Sequence, residues 1–189
     1  MRQGPFRVVL ERGYIGSPAS MKAMKEMARS GEAHPDVRRW AVETVRQVTP
    51  RDYLSEMAAL YYATAREIRY VRDPAHTELV SHPAVTLSQR AEDCDGMSAF
   101  QRAAKGALDG LRPRETLAAL GMAAGSIGNQ AEYTAVGFEA KPKSMDPYTH
   151  VFLRVRDSKS GEWAVMDPVA GPKTTAMLRK VRTLKSEAV

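Results

Sequence analysis

Apolar positions recur with two periods along the chain, and the change falls near residue 130. Phe6 to Leu10 reads as a short strand, and Gly13, Gly16 and Pro18 mark irregular chain behind it. Ser17 or Ser20 can cap a helix through about Arg29, with Met21, Met24 and Ala28 on one face. Ser30-Gly31 ends it, and His34-Pro35 separates it from the next element. Asp36 is the expected N-cap of a helix from Val37 to about Val48, where Val37, Trp40, Ala41, Val45 and Val48 form a stripe. Thr49-Pro50 stops that helix. Another is expected from about Asp52 to Arg69, since Leu54, Met57, Ala58, Tyr61, Ala65 and Ile68 keep helical spacing. Tyr70 to Arg90 has no clear period, holds Asp73-Pro74 and His82-Pro83, and reads as an ordered loop. A further helix begins near Cys94. Met97, Phe100, Ala104, Ala107, Leu108 and Leu111 line its face, Asp93 can cap it, and Gly110 and Pro113 end it. Arg114 to Leu120 reads as one or two more helical turns, and Gly121 to Gly128 as a loop of small residues.

The period then drops to two. Glu132 to Phe138 reads as a strand, and so does Tyr148 to Arg156, with Val151, Leu153 and Val155 on one side and His150, Phe152 and Arg154 on the other. Asp157 to Gly161 is turn chemistry, and Glu162 to Asp167 follows as a strand that Pro168 ends. Helices first and an antiparallel sheet afterwards predict an α+β domain.

The length of 189 residues suits one domain with extensions. A hydrophobic share of 43% excludes wholesale disorder. No apolar run approaches the roughly 20 residues of a membrane helix, so no membrane partner is expected. The five residues from Phe6 to Leu10, broken by Arg7, are too few for the apolar region of a signal peptide, so export by that route is not expected. The net charge of +6 is unevenly placed: residues 1–30 carry +4 and 171–189 carry +4, leaving −2 for the middle. The chain therefore divides into a basic N-terminal extension with a short helix (1–35), a central domain (36–170) and a basic tail (171–189). Basic ends can dock on nucleic acid or on an acidic partner, or simply be solvated.

One cysteine excludes an internal disulfide and a multi-cysteine metal site. No His-x-x-x-His or Glu-x-x-His spacing occurs, so no metal and no cofactor is expected. Gly121 to Gly128 lacks the lysine and the preceding strand of a phosphate loop. His34, His76 and His82 sit beside proline or in loops and are assigned no chemistry. Cys94 stands apart because a helix N-terminus and a nearby imidazolium both favour a thiolate, whose free pKa is about 8.5. His150 lies in a strand, and Asp167 ends the next one, where it can fix the imidazole tautomer.

Glu92-Asp93-Cys94-Asp95-Gly96, Tyr148-Thr149-His150-Val151-Phe152 and Gly161-Glu162-Trp163-Ala164-Val165-Met166-Asp167-Pro168 resemble, in that order, the three motifs of the transglutaminase-like cysteine hydrolases. Arg69 to Pro74, with Glu78-Leu79-Val80 and His82-Pro83, resembles the approach loop of the short phage and prophage members. The likeness spans about Ile68 to Pro172. It implies a papain-like fold, with a nucleophile helix packed on an antiparallel sheet. It makes Cys94 the nucleophile, His150 the general base and then acid, and Asp167 its orienting partner. The backbone N–H of Cys94 would form the oxyanion hole, with Gln89 as the nearest side-chain donor. Glu92 departs from the family pattern, which usually has Gly there, and residues 112–130 exceed the compact phage length. The implied activity is thiol-dependent acyl transfer on an amide of a peptide or protein, with hydrolysis favoured over cross-linking. The alternative is a virion-associated structural or assembly protein that keeps this fold as a binding module, and the phage likeness implies a place in the cytoplasm of a host cell or in a virion, with other virion proteins as partners.

Overall fold

The computed structural model describes residues 7–11, 18–49, 52–74, 77–110, 131–137, 150–156, 161, 163–169 and 183–188. In chain order the elements are β1 (Arg7–Glu11), α1 (Pro18–Glu32), α2 (Pro35–Val45), α3 (Tyr53–Glu67), β2 (Arg69–Tyr70), β3 (Thr77–Ser81), α4 (Pro83–Gln89), β4 (Ala91–Glu92), α5 (Cys94–Gly110), β5 (Ala131–Gly137), β6 (His150–Arg156), β7 (Trp163–Met166) and β8 (Thr183–Ala188). The architecture is mixed helix and strand, compatible with an α+β class. The readings for Arg114 to Leu120, for Gly121 to Gly128 and for the turn residues 157–160 fall outside the described residues.

α5 is the hub of the packing. Its seventeen residues carry small side chains at Ala99, Ala103, Ala104 and Ala107, all at most 1% exposed. Small residues let neighbours approach closely, and α1, α2, α3, α4 and β6 all contact this helix. The methionines of α1 fill the gaps: Met21 and Met24 are fully buried, and Met27 packs at the edge of the same cluster. α1 therefore belongs to the core, although it lies in the stretch read from sequence as an extension. The other end behaves alike, because β8 pairs with β5 from Glu132↔Ala188 to Gly137↔Thr183.

The main sheet has the order β7-β6-β5-β8, and every neighbouring pair is antiparallel. β6 is an interior strand buried on both faces. Val151, Leu153 and Val155 alternate with Phe152, and all four are at most 1% exposed. Two small pairings complete the strands: β1 with β3, antiparallel, and the two-residue β2 with β4, parallel.

The segment from Tyr70 to Arg90 corrects the sequence reading. It holds β3 and α4 rather than a plain loop, and its His82-Pro83 pair starts a helix instead of only breaking one. In His82-Pro83, proline takes the first helical position, where its missing N–H is no loss. The His82 Nδ1 accepts the Ala84 N–H at 3.1 Å, so histidine caps the helix. His34-Pro35 repeats the device for α2, with the Asp36 N–H donating to His34 Nδ1 at 3.3 Å. Asp36 is thus a first-turn residue, and His34 takes the N-cap expected of it. The two rings meet edge to face at 5.5 Å.

His82 also donates to the Ser30 backbone carbonyl, so one buried ring ties the end of α1 to the start of α4. Burial, with the His34 ring second, holds His82 below the ordinary histidine range. A depressed histidine stabilises the fold above the unfolded pKa of about 6.5, and that stability is lost as pH falls below it. Melting temperature should therefore decline from pH 7 to 5. In His82→Asn, which caps without titrating, this part of the slope should vanish. His82→Ala should cost about 0.5–2 kcal/mol at pH 7 by denaturant titration.

Candidate active site

The first turn of α5 presents Cys94. Asp93 caps the helix, with its Oδ1 accepting the Gly96 N–H at 3.2 Å and its carbonyl accepting the Met97 N–H at 3.0 Å. β4 delivers the chain to this cap after a left-handed turn at Arg90 (φ 53°). The turn holds because the Arg90 N–H donates to the Thr86 carbonyl at 3.0 Å and the Arg90 carbonyl accepts the Arg69 N–H at 2.9 Å. The position of Cys94 is therefore fixed by hydrogen bonds of the chain on either side of it.

His150 opens β6, and Asp167 directly follows β7. The register pairs Leu153 with Met166. Continued by one residue, it sets Asp167 opposite Phe152 and diagonal to His150 on the same face, within reach of a ring. The observed separation is 2.8 Å between His150 Nε2 and Asp167 Oδ2. Both residues are buried, at 8% and 1% exposure. The other carboxylate oxygen accepts the Val169 N–H at 3.1 Å, which fixes the plane of the group. A carboxylate at Nε2 selects the tautomer with its proton there and leaves Nδ1 as the basic nitrogen.

Cys94 is 2% exposed and packs in the main core cluster, beside residues of β6. The backbone N–H of Val151, next in chain to His150, reaches the sulfur and favours the thiolate. Stronger influences oppose it. Burial, then the Asp93 and Asp95 carboxyls, push the thiol well above its ordinary value. The resting group is a neutral thiol, not the thiolate that a helix N-terminus alone would favour. Tyr70 and Tyr61 flank the site. Burial raises both phenols, and the next contribution comes from Cys94 for Tyr70 and from Asp167 for Tyr61.

The sequence announced only part of the acidic surroundings, the carboxyls of Glu92, Asp93 and Asp95 around the cysteine. Asp73, Glu78 and Glu92 join Asp93 and Asp95 within electrostatic reach of one another. Asp93 is pushed up to about 11 by burial first and by Asp95 next. Asp95 rises to about 8 through burial, with a hydrogen bond to Asp93 offsetting part of the rise. Asp73 accepts the Leu79 N–H, and Glu92 accepts the Asp93 N–H and the Thr86 hydroxyl, each at 3.3 Å. Glu78 shares the buried face of β3 with Val80.

Glu92 also explains the glycine that follows the cysteine. A Cβ on Gly96 would lie 2.1 Å from Glu92 Cγ, so the acid lies against bare backbone. Gly96→Ala should destabilise the protein by about 1–3 kcal/mol in denaturant titrations, despite the gain in helix propensity. Gln89 ends α4, exposed, rather than lying in a loop. Trp163 is 39% exposed and stacks under the Arg154 guanidinium at 4.9 Å, so its role is at the sheet surface. A cavity of about 390 Å³ between α2 and α3, lined by Trp40, Tyr62 and Arg66 among others, includes none of Cys94, His150 or Asp167.

Among the described residues no helix is long and apolar enough to cross a membrane. No family model, no curated protein and no solved structure matches the chain.

Proposed function

We propose that this protein is a thiol-dependent acyl-transfer enzyme of the transglutaminase-like, papain-like type, acting on an amide bond of a peptide or protein. The observation that carries the reading is the buried His150–Asp167 pair at 2.8 Å, with His150 on the strand whose next N–H meets the Cys94 sulfur. His150 Nδ1 takes the thiol proton as sulfur attacks the carbonyl carbon, and the carbonyl electron pair moves to oxygen. The Cys94 N–H at the helix start receives that oxyanion, with Gln89 as the candidate second donor. Collapse breaks the C–N bond, His150 protonates the leaving amine, and a thioester remains for water to hydrolyse. Because the thiol rests neutral, proton transfer accompanies attack instead of preceding it.

One observation favours a second reading, a binding or assembly module of phage type without catalysis: a sulfur only 2% exposed beside two carboxyls. Iodoacetamide separates the two. An enzyme should alkylate at Cys94 in the folded state near pH 7, and His150→Ala should slow this by about 100-fold or more. Labelling that appears only on unfolding, and ignores His150, would leave the module.

A further inference from the structure

We propose that the outer edge of β2, from Arg69 to Arg72, docks an extended acidic peptide as an added strand beside Cys94. That this peptide is the substrate rests on the acyl-transfer reading, whereas the docking does not.

Among the described residues β2 has one strand neighbour. It pairs in parallel with β4, Arg69 with Ala91 and Tyr70 with Glu92. The Arg69 N–H donates to the Arg90 carbonyl at 2.9 Å, and the Val71 N–H to the Glu92 carbonyl at 3.0 Å. Successive residues of a strand turn their backbone groups to opposite edges, so the N–H and carbonyl of Tyr70 face away from β4. The outer edge is open, because Arg69, Tyr70, Val71 and Arg72 are all exposed. Tyr70 and Val71 keep 42% and 43% of their surface in water, a high share for large apolar side chains on a strand. Outward backbone groups between exposed apolar side chains are what an added strand pairs with.

The edge also lies beside the candidate nucleophile. Since Val71 still bonds to Glu92, β2 ends level with Asp93, the residue before Cys94. The Tyr70 phenol accepts a hydrogen bond from Arg72 and lies within electrostatic reach of Cys94.

Charge selects the occupant. Arg66 and Arg90 are spent on Glu67, and Asp73, at the end of the run, turns to the Leu79 N–H. Arg69 and Arg72 form no ion pair among the described residues, and strand alternation puts one on each face. Acidic side chains three residues apart on an incoming strand meet both. A second copy of this edge would bring arginines against arginines, which like-charge repulsion opposes, so the partner is a different chain.

Two capped peptides test the edge: acetyl-Thr-Glu-Val-Val-Glu-Thr-amide and its counterpart with Lys for Glu, each titrated into the isotope-labelled full-length chain. The acidic peptide should shift the Tyr70 amide resonance and slow its exchange with solvent. The basic one should bind at least about tenfold more weakly. Arg69→Glu combined with Arg72→Glu should reverse that order. Tyr70→Pro deletes the outward N–H, which β4 does not use, and should bind about fivefold more weakly than Tyr70→Ala, which keeps it. If the proline variant does not fold, the two peptides on the wild-type chain decide. Equal binding of both, binding that leaves the Tyr70 amide unmoved, or no binding at millimolar peptide overturns the proposal. Saturating acidic peptide should also slow His150-dependent alkylation of Cys94, and an unchanged rate would detach the edge from the nucleophile and overturn its part in substrate binding. Docking without any His150-dependent alkylation keeps the peptide edge and removes the enzyme. His150-dependent alkylation without docking does the reverse.

Discussion

Phe100→Ala is expected to destabilise the protein by about 3–5 kcal/mol, among the largest effects of any single side-chain truncation. Phe100 is fully buried, and its ring lies 4.7 Å from that of Trp40. It packs with Ile68 and Met97, and the edge of the same cluster includes Leu87 and Val169. The side chain therefore joins α5 to the end of α3, to α4 and to the residues just past Asp167. Val169 donates its N–H to Asp167, so loss of the ring should also loosen the carboxylate that holds His150. A denaturant titration should show a lower midpoint with an unchanged slope. Val42→Ala, on the exposed side of α2, should move stability by no more than about 0.5 kcal/mol. Comparable losses in the two variants would contradict the packing described for α5.

What the sequence made visible follows from how local each determinant is. α5 was readable from end to end because its stripe, its aspartate cap and its terminal glycine all lie within seventeen residues. β5, β6 and β7 were readable through their alternation. The diagonal meeting of His150 with Asp167 was anticipated as cross-strand reach, because a tight turn fixes a hairpin register. α4 was not readable. Seven residues give no helical period, and a His-Pro pair looks like a breaker until the histidine is seen accepting an N–H. β8 is short and polar, and only its partner β5, some 50 residues earlier, makes it a strand.

The site divides along the same line. Cys94, His150 and Asp167 stand in ordered motifs, and Glu92, Asp93 and Asp95 lie beside the cysteine, whereas Asp73 and Glu78 arrive from the stretch read as loop and have no spacing that ties them to the site. The promise of a thiolate rested on the helix N-terminus and a nearby imidazolium. Burial and two neighbouring carboxyls outweigh it, because low dielectric amplifies every nearby charge. The electrostatic character of this thiol is thus a property of the fold as a whole.

Asp167→Asn should reduce Cys94 alkylation near pH 7 by about 100-fold or more while leaving the fold intact. The reason lies in the second oxygen. Oδ1 accepts the Val169 N–H at 3.1 Å, so an asparagine keeps its carbonyl there and turns its NH₂ toward His150. That group donates to Nε2, which forces the ring proton onto Nδ1 and removes the base of the proposed mechanism. Shape and volume are conserved, so the melting temperature should change little and the loss can be assigned to the tautomer. The pH dependence sharpens the test. Without a base, reaction requires the free thiolate, and burial with Asp93 and Asp95 holds this thiol above the ordinary range. The residual rate in Asp167→Asn and in His150→Ala should therefore keep rising beyond pH 8.5, the ordinary thiol midpoint of about that value. The wild type should already react rapidly below it. Equal rates and equal profiles in wild type and Asp167→Asn would show that His150 takes no proton from Cys94, and the acyl-transfer reading would fall with it.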